Sequence, residues 1–406
     1  MQQWVSYMFV LLAATLAAPA ANASPDSEIH DFDAAIANDA AETESAPTAR
    51  SPLTGAAVQM RQMNPDISLI LDTSFGWFSQ DDHLRQGGHA MNENGLAVQG
   101  LEFAASASVD PFFRFDLNFE LSHLHLEEAY LTTLALPLNM QARMGYLNAQ
   151  FGRENPLHLH SWHFSNPSLM HSRFMSEEHF SGAGTELSVL APTPWYLLIV
   201  GQVLGTADEL GLRSDSFGNV AFTQKGKNDG PEDFVYVARV VNAGSFSDDW
   251  ALNVGLNGAW GQSPYVPDNR VTLYGADLYL KWRPLSTGDD AMAVGLTAEA
   301  LVRDTQVPGD SVRDAGGYAA LDVQFNRYWI ANLRGDYVQT LGGEAPEGSN
   351  LQGLGRRASL ALSYIPTHFS KLRVQLDVGQ EKRLPRYVAG FLQLEVSAGE
   401  HGAHSF

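Results

Sequence analysis

The chain contains no cysteine, few bases and, beyond its first two dozen residues, no long apolar run. Each shortage excludes something. Without cysteine there is no disulfide framework, no thiolate zinc site and no cysteine nucleophile. With 25 Lys+Arg against 46 Asp+Glu the formal net charge is -21, so nucleic acid is repelled rather than bound. The basic ladder that an anion pore needs is also missing from the composition. After the N-terminal segment the longest apolar run is Trp195 to Val200, far short of the ~20 residues of a helical membrane span. Disorder is excluded for most of the chain, because 21 Phe, 13 Tyr and 8 Trp supply ample material to bury.

Three segments follow from composition. Residues 1–23 carry no charged side chain, and an apolar run from Phe9 to Ala18 leads into Ala21-Asn22-Ala23. This predicts a signal peptide with a small-x-small cleavage site. Residues 24–64 are rich in Ala, Ser and Pro, and they hold Asp26, Glu28, Asp31, Asp33, Asp39, Glu42 and Glu44 before the first base, Arg50. One-sided charge with little apolar content predicts a disordered, acidic periplasmic linker, with a docking segment for a periplasmic partner as the alternative. Residues 65–406 form the third segment.

From residue 65 onward the period is two. Phe113, Phe115, Leu117, Phe119 and Leu121 alternate with Arg114, Asp116, Asn118 and Glu120; Leu372, Val374, Leu376 and Val378 alternate with Arg373, Gln375 and Asp377. Strands place successive side chains on opposite faces, so each segment has one oily and one wet side. Sixteen such segments are predicted, at 67–79, 93–108, 112–122, 124–135, 139–152, 183–191, 195–204, 233–242, 250–261, 271–283, 291–303, 317–326, 328–340, 355–365, 369–380 and 386–397. Spacers alternate between long (80–92, 153–182, 205–232, 262–270, 304–316, 341–354) and short. Two spacers fit less well: the one near Ser122 is almost absent, and Asn242–Asp249 is long for a turn. The fold class expected is all-β: an antiparallel transmembrane barrel of about sixteen strands in the bacterial outer membrane, with long extracellular loops and short periplasmic turns. Lipid offers no partner for backbone N–H and C=O groups, so a membrane sheet must close. Trp195, Trp250, Trp282, Tyr328, Trp329 and Phe369 sit where strands meet short turns, as in an interfacial girdle. A soluble β-sandwich is the rival reading. Sixteen strands are enough to enclose an aqueous channel, and barrels of this size are often homotrimers, an expectation by analogy.

The chemistry gathers in one stretch. Of 13 histidines, seven lie between residues 123 and 179: His123, His125, His158, His160, His163, His171 and His179. Glu127, Glu128, Glu154, Glu177 and Glu178 are interspersed. His123/His125 and His158/His160 have i, i+2 spacing, which puts both imidazoles on one face of an extended chain. Imidazole with carboxylate is the usual donor set for zinc. The candidate ligands are therefore His123, His125, Glu127, His158, His160, His163, His171, Glu177, Glu178 and His179. The bland alternative is that loop histidines are surface hydrogen-bonders. His125 and Glu127 share a face of the fourth strand, whereas the parity of Glu128 points it outward. Asp81, Asp82, His83 and His89 make a weaker cluster in the first long loop, and His401 and His404 a weaker one still in the tail. The longest loop, 153–182, is the third on its end and is expected to fold into the lumen. Between residues 65 and 406 there are 23 bases and 39 acids, so the lumen should concentrate cations.

Around His125-Leu126-Glu127-Glu128-Ala129-Tyr130-Leu131, Phe151-Gly152-Arg153 and Leu157-His158-Leu159-His160-Ser161-Trp162, the chain resembles a proteobacterial porin-like family commonly labelled zinc-regulated TonB-dependent outer-membrane receptors. The ending Gly402-Ala403-His404-Ser405-Phe406 is similar to that family's terminus. The Glu-Glu-Ala-Tyr-Leu and Phe-Gly-Arg elements also resemble the phosphate-selective porin superfamily. The likeness spans residues 65–406, with its sharp motifs in 125–182 and the tail. It implies an outer-membrane barrel tied to zinc supply. Residues 24–64 lack the apolar content to build a plug inside the barrel, so the function expected is passive uptake of divalent metal cations, zinc first. No cofactor is required, and zinc is the transported or bound ion. The other partner is the outer-membrane lipid. The alternatives are a general diffusion porin with incidental histidines and a zinc-binding outer-membrane receptor. An enzyme is not expected, since no nucleophile motif appears.

Overall fold

The computed structural model describes residues 65–80, 89–122, 124–175, 179–205, 230–263, 265, 269–284, 292–344, 353–381 and 385–399. The expected signal peptide and linker therefore lie outside the described residues. So do His83, His123, Glu177, Glu178, His401 and His404.

Alternation has become a closed cylinder. The sixteen strands are β1 (Asp66–Phe78), β2 (Gly95–Asp110), β3 (Phe113–Glu120), β4 (His125–Thr133), β5 (Met140–Asn148), β6 (Ser181–Leu190), β7 (Tyr196–Leu204), β8 (Val235–Ser247), β9 (Trp250–Gln262), β10 (Arg270–Trp282), β11 (Ala293–Val307), β12 (Asp310–Asn326), β13 (Trp329–Gly342), β14 (Leu354–Thr367), β15 (Ser370–Glu381) and β16 (Tyr387–Gly399). Each pairs antiparallel with its sequence neighbours, and β1 closes on β16 with Asp72 opposite Glu395. Closure leaves no edge strand, which is the condition for backbone inside lipid.

The exposure pattern is inverted relative to a soluble protein. Along β14, Arg357, Ser359 and Ser363 face the barrel interior and are buried, while Leu360 and Leu362 face outward and are 55% and 43% exposed. On β15, Gln375 and Asp377 are interior and Val374, Leu376 and Val378 are exterior. Such an apolar outer belt is stable only against lipid. Aromatic side chains ring one end of it. Trp250 stacks on Phe246 with centroids 5.9 Å apart and lies 6.4 Å from Trp282; Trp329 lies 4.8 Å from Tyr364. All are at short-turn ends, as a headgroup girdle requires.

Two loop expectations are corrected. Residues 304–316 do not form a long loop. β11 runs to Val307, β12 starts at Asp310, and the two-residue turn Pro308–Gly309 needs the positive φ of 74° at Gly309. The charged residues beside this turn are strand residues: Arg303 and Asp314 pair inside the barrel, and Arg313 and Asp304 pair outside it. Likewise β8 runs on to Ser247, so the apparent long spacer before Trp250 is a two-residue turn.

The fifth strand also ends earlier than expected, at Asn148. There the chain leaves the wall and enters the lumen. Gly152 has φ of 69°, and a Cβ at that position would lie 2.2 Å from Glu299 Oε2. Both facts demand glycine. Residues 149–175 and 179–180, the described part of the third loop, lie in the barrel interior. The short helix α1 (Leu169–Phe174) begins at Ser168, whose hydroxyl caps the His171 N–H at 3.0 Å. Leu169, Met170 and Phe174 pack with Phe151 and with Leu301 and Val338 of the wall in a buried apolar cluster.

Candidate metal centre on the third loop

The third loop is held from the far wall by bases that donate to its carbonyls. Lys371 reaches His160 O at 3.0 Å, Arg373 reaches Trp162 O at 2.6 Å, and Arg334 reaches Asn166 O at 3.0 Å. Arg357 donates to Pro167 O and Arg239 to Gly152 O. Four of the five are also paired with a carboxylate, Lys371 with Glu395, Arg334 and Arg357 with Asp336, and Arg239 with Asp277, while Arg373 donates to Gln393 Oε1. A row of bases therefore does line the β13–β15 wall, contrary to the reading from composition. Its charge is committed to carboxylates and loop carbonyls.

The opposite wall, β2–β4, is different. Glu102, Glu120, Glu127 and Glu128 are all buried. Among the described residues none has an Arg or Lys partner; the partners recorded for their carboxylates are imidazoles, hydroxyls and backbone N–H groups. His158 Nδ1 is 2.8 Å from Glu127 Oε2 and its Nε2 is 3.1 Å from Glu128 Oε2. His160 Nδ1 is 2.8 Å from Glu102 Oε2. The two imidazoles lie parallel, 6.0 Å apart, although the chain between them is not extended as expected but turns into a single 3-10 turn at Leu159–Ser161. Burial works against charge on His158, but Glu102, Glu127 and Glu128 hold its imidazolium well above the usual histidine range.

Glu128 corrects an expectation. The β3–β4 register shifts at Asn118/Phe119, with Asn118 opposite Glu128 and Phe119 opposite Leu126. Glu127 is the extra residue of a β-bulge. A bulge places two successive side chains on one side of the sheet, so Glu127 and Glu128 both enter the lumen.

Behind His158 lie His179, 6.0 Å away between ring centroids, and His171, 5.8 Å from His179. Burial pushes both down to about 3, so they are neutral imidazoles. His179 Nδ1 is 2.9 Å from the Asn155 carbonyl. A carbonyl only accepts, so Nδ1 carries the proton and Nε2 carries the lone pair. Glu127, His158 and His179 each offer one donor atom, and the three lie within 4.8 Å of one another. That set can hold a divalent transition metal with a fourth position open. Glu128 would then accept from the far nitrogen of His158, the carboxylate–histidine–metal relation that orients ligands.

The remaining candidates are scattered. His125 is buried on β4 opposite Glu120, outside the Glu127–His158–His179 set. His163 leaves the cluster: it pairs with Asp322 of β12 at 2.8 Å and its side chain is 55% exposed. His171 forms the back wall, with no hydrogen-bond partner at either ring nitrogen among the described residues. Three residues that matter were not among the strong candidates. His89 had been assigned to a weaker cluster, and Glu102 and Glu120 were not singled out. The cross-strand register carries a signal for the last two, since Glu102 faces Glu120 and Glu120 faces His125.

No family model matches the chain. It is 27% identical over 395 aligned positions to an uncharacterized protein of Aquifex aeolicus, covering 84% of this chain and 80% of that one. Among solved structures it is similar to the loop L8 deletion mutant of OmpT, an outer membrane protein of Vibrio cholerae, with a TM-score of 0.53, 10% identity, and 82% and 99% of the two chains covered. It is also similar to an anion-selective porin from Comamonas acidovorans (TM-score 0.53, 9% identity, 82% and 99%) and to OprB of Pseudomonas putida (TM-score 0.53, 10% identity, 85% and 96%). The chain is a barrel of the bacterial outer membrane with the porin fold. These likenesses establish architecture; the ion is a question for the site.

Proposed function

We propose that this barrel is a channel for passive entry of divalent transition-metal ions, zinc first among them. One observation carries the reading: the Glu127–His158–His179 donor set sits where the third loop meets the β4 wall, with Glu128 behind His158. Imidazole donors favour zinc and its neighbours over Ca²⁺ and Mg²⁺, which prefer oxygen. Carboxylates that have no Arg or Lys partner among the described residues on the β2–β4 wall favour cations over anions in that region. Three protein ligands leave a position for water, which suits an ion that must leave again. Conduction requires binding strong enough to enter and weak enough to exit.

The test is single-channel recording of the refolded chain in a planar bilayer, with reversal potentials in a salt gradient and a zinc titration. The expected outcome is cation-selective conductance with zinc-dependent block or flicker. Replacing His158 and His179 with Ala should remove the zinc effect and leave salt conduction unchanged. Zinc-indifferent conductance in the parent chain would leave a general diffusion porin. A folded barrel that does not conduct but binds zinc would leave a receptor.

A further inference from the structure

The donor set above uses one oxygen of Glu127. The other oxygen meets a second set. His89 Nε2 lies 3.4 Å from Glu127 Oε1, and donor atoms of His89, Glu120 and Glu127 lie within 4.8 Å of one another. His89 comes from the first loop and Glu120 from the end of β3, so the two sets share only Glu127. All three side chains of the second set are buried.

Their neighbours prepare them for an ion. His89 Nδ1 is 3.3 Å from the Gln99 carbonyl, which can only accept, so in the neutral ring Nε2 bears the lone pair. The Gln99 amide donates to His89 O at 2.8 Å and to Ser165 O at 3.0 Å, tying this corner to the third loop. Glu120 Oε1 already accepts from Leu101 N, Ser122 N and Ser122 Oγ at 2.9, 2.8 and 2.6 Å. Its Oε2 is the oxygen left for a cation. On both sides of Glu127, then, an imidazole is oriented through its far nitrogen, as metal-bound histidines are.

We infer that Glu127 bridges two divalent metal ions, one held by His158 and His179 and the other by His89 and Glu120. This rests on the metal-channel reading and deepens it. A bridging carboxylate holds two ions roughly 3.5–4 Å apart. At that distance each ion weakens the hold on the other. An ion entering one half then expels the ion in the other half, and knock-on between adjacent sites is how a selective pore avoids being blocked by its own ligand. The arrangement reconciles a buried histidine–carboxylate site with transport.

The test counts ions on the full refolded chain in detergent, equilibrated with zinc and analysed by elemental mass spectrometry. Two zinc ions per chain are expected, falling to one in His89→Ala and to one in His179→Ala, with folding checked by the heat-dependent gel shift of the barrel. Glu120→Gln serves as the conservative second variant for the His89 half. A readout on the unmutated chain uses Co²⁺: the second equivalent should diminish the electron-paramagnetic signal of the first by coupling through the bridge. One zinc per chain, lost in His179→Ala and retained in His89→Ala, would overturn the bridge and leave the channel proposal standing. Two uncoupled ions that both survive His89→Ala and Glu120→Gln would overturn it as well. A folded barrel that binds no zinc would overturn both proposals.

Discussion

At the residue scale the decisive side chain is Glu128, because it tells a metal ligand from an ordinary ion pair. Without a metal, His158 bridges two carboxylates, Glu127 through Nδ1 and Glu128 through Nε2. With a metal on Nδ1, the Nε2–H···Glu128 bond remains and steers the ring. Glu128→Gln keeps the shape and an accepting oxygen but removes the charge. Changes of this kind behind a ligand weaken metal binding by about 10–100-fold. The zinc concentration for half-maximal block should rise by about that factor, with conductance in plain salt unchanged. Glu128 also accepts from Asn148 N at 2.9 Å, so the same variant should be checked for β5 integrity by its unfolding midpoint. If block is unaltered in a properly folded Glu128→Gln barrel, His158 does not ligate the ion.

At the element scale the third loop is the piece that makes this barrel more than a cylinder. Arg334 joins Asp336 and the carbonyl of Asn166; Arg373 joins Gln393 Oε1 and the carbonyl of Trp162. A hydrogen bond from a charged donor contributes about 1.5–3 kcal/mol, and Asp336 keeps Arg357 as a partner, so the loss on removing these arginines falls on the loop carbonyls. Arg334→Ala together with Arg373→Ala should therefore release the loop without opening the β-ladder. Larger single-channel conductance and faster proteolysis within residues 153–175 are expected, while the barrel keeps its heat-resistant gel mobility. A loop that stays protected would show that its apolar cluster around Phe174, not the bases, holds it. The strands were legible because alternation is a direct consequence of a sheet with one wet and one oily face. What stayed hidden was any feature that alternation alone does not encode. The bulge at Glu127 reverses the parity of everything after it on one strand, and nothing local in His125–Leu131 announces it. Asp304, Arg313 and Asp314 fell in the expected spacer 304–316, yet all three are strand residues, and Asp314 pairs with Arg303 inside the barrel, where charge belongs. The histidine cluster was visible as a clump in sequence. Of its carboxylates Glu127 was visible in the same clump, whereas Glu102 and Glu120 reach it only through the register of β2 and β3.

At the scale of the whole molecule the question is what covers the outer belt, and depth provides the answer. Leu376 sits midway along β15, opposite Leu360, and both point outward. Leu372 is also outward but lies four residues nearer the short-turn end, about 13 Å along the strand. A water-soluble barrel would treat the two positions alike, and an exposed Leu→Arg change at either would fall within about 0.5 kcal/mol of neutral. A barrel in lipid would not. Arginine on the lipid face costs about 2–4 kcal/mol at the bilayer midplane and about 0–1 kcal/mol near the interface. Leu376→Arg should accordingly lose stability several-fold more than Leu372→Arg when reversible unfolding in urea is followed in lipid vesicles. In the lumen the same depth argument does not apply, since Gln375 and Gln393 are buried among hydrogen-bond partners at mid-belt. The contrast between two outward leucines therefore isolates the solvent of the belt from the packing of the interior. Equal losses at positions 372 and 376 would place both in one medium and deny the membrane reading at its physical root.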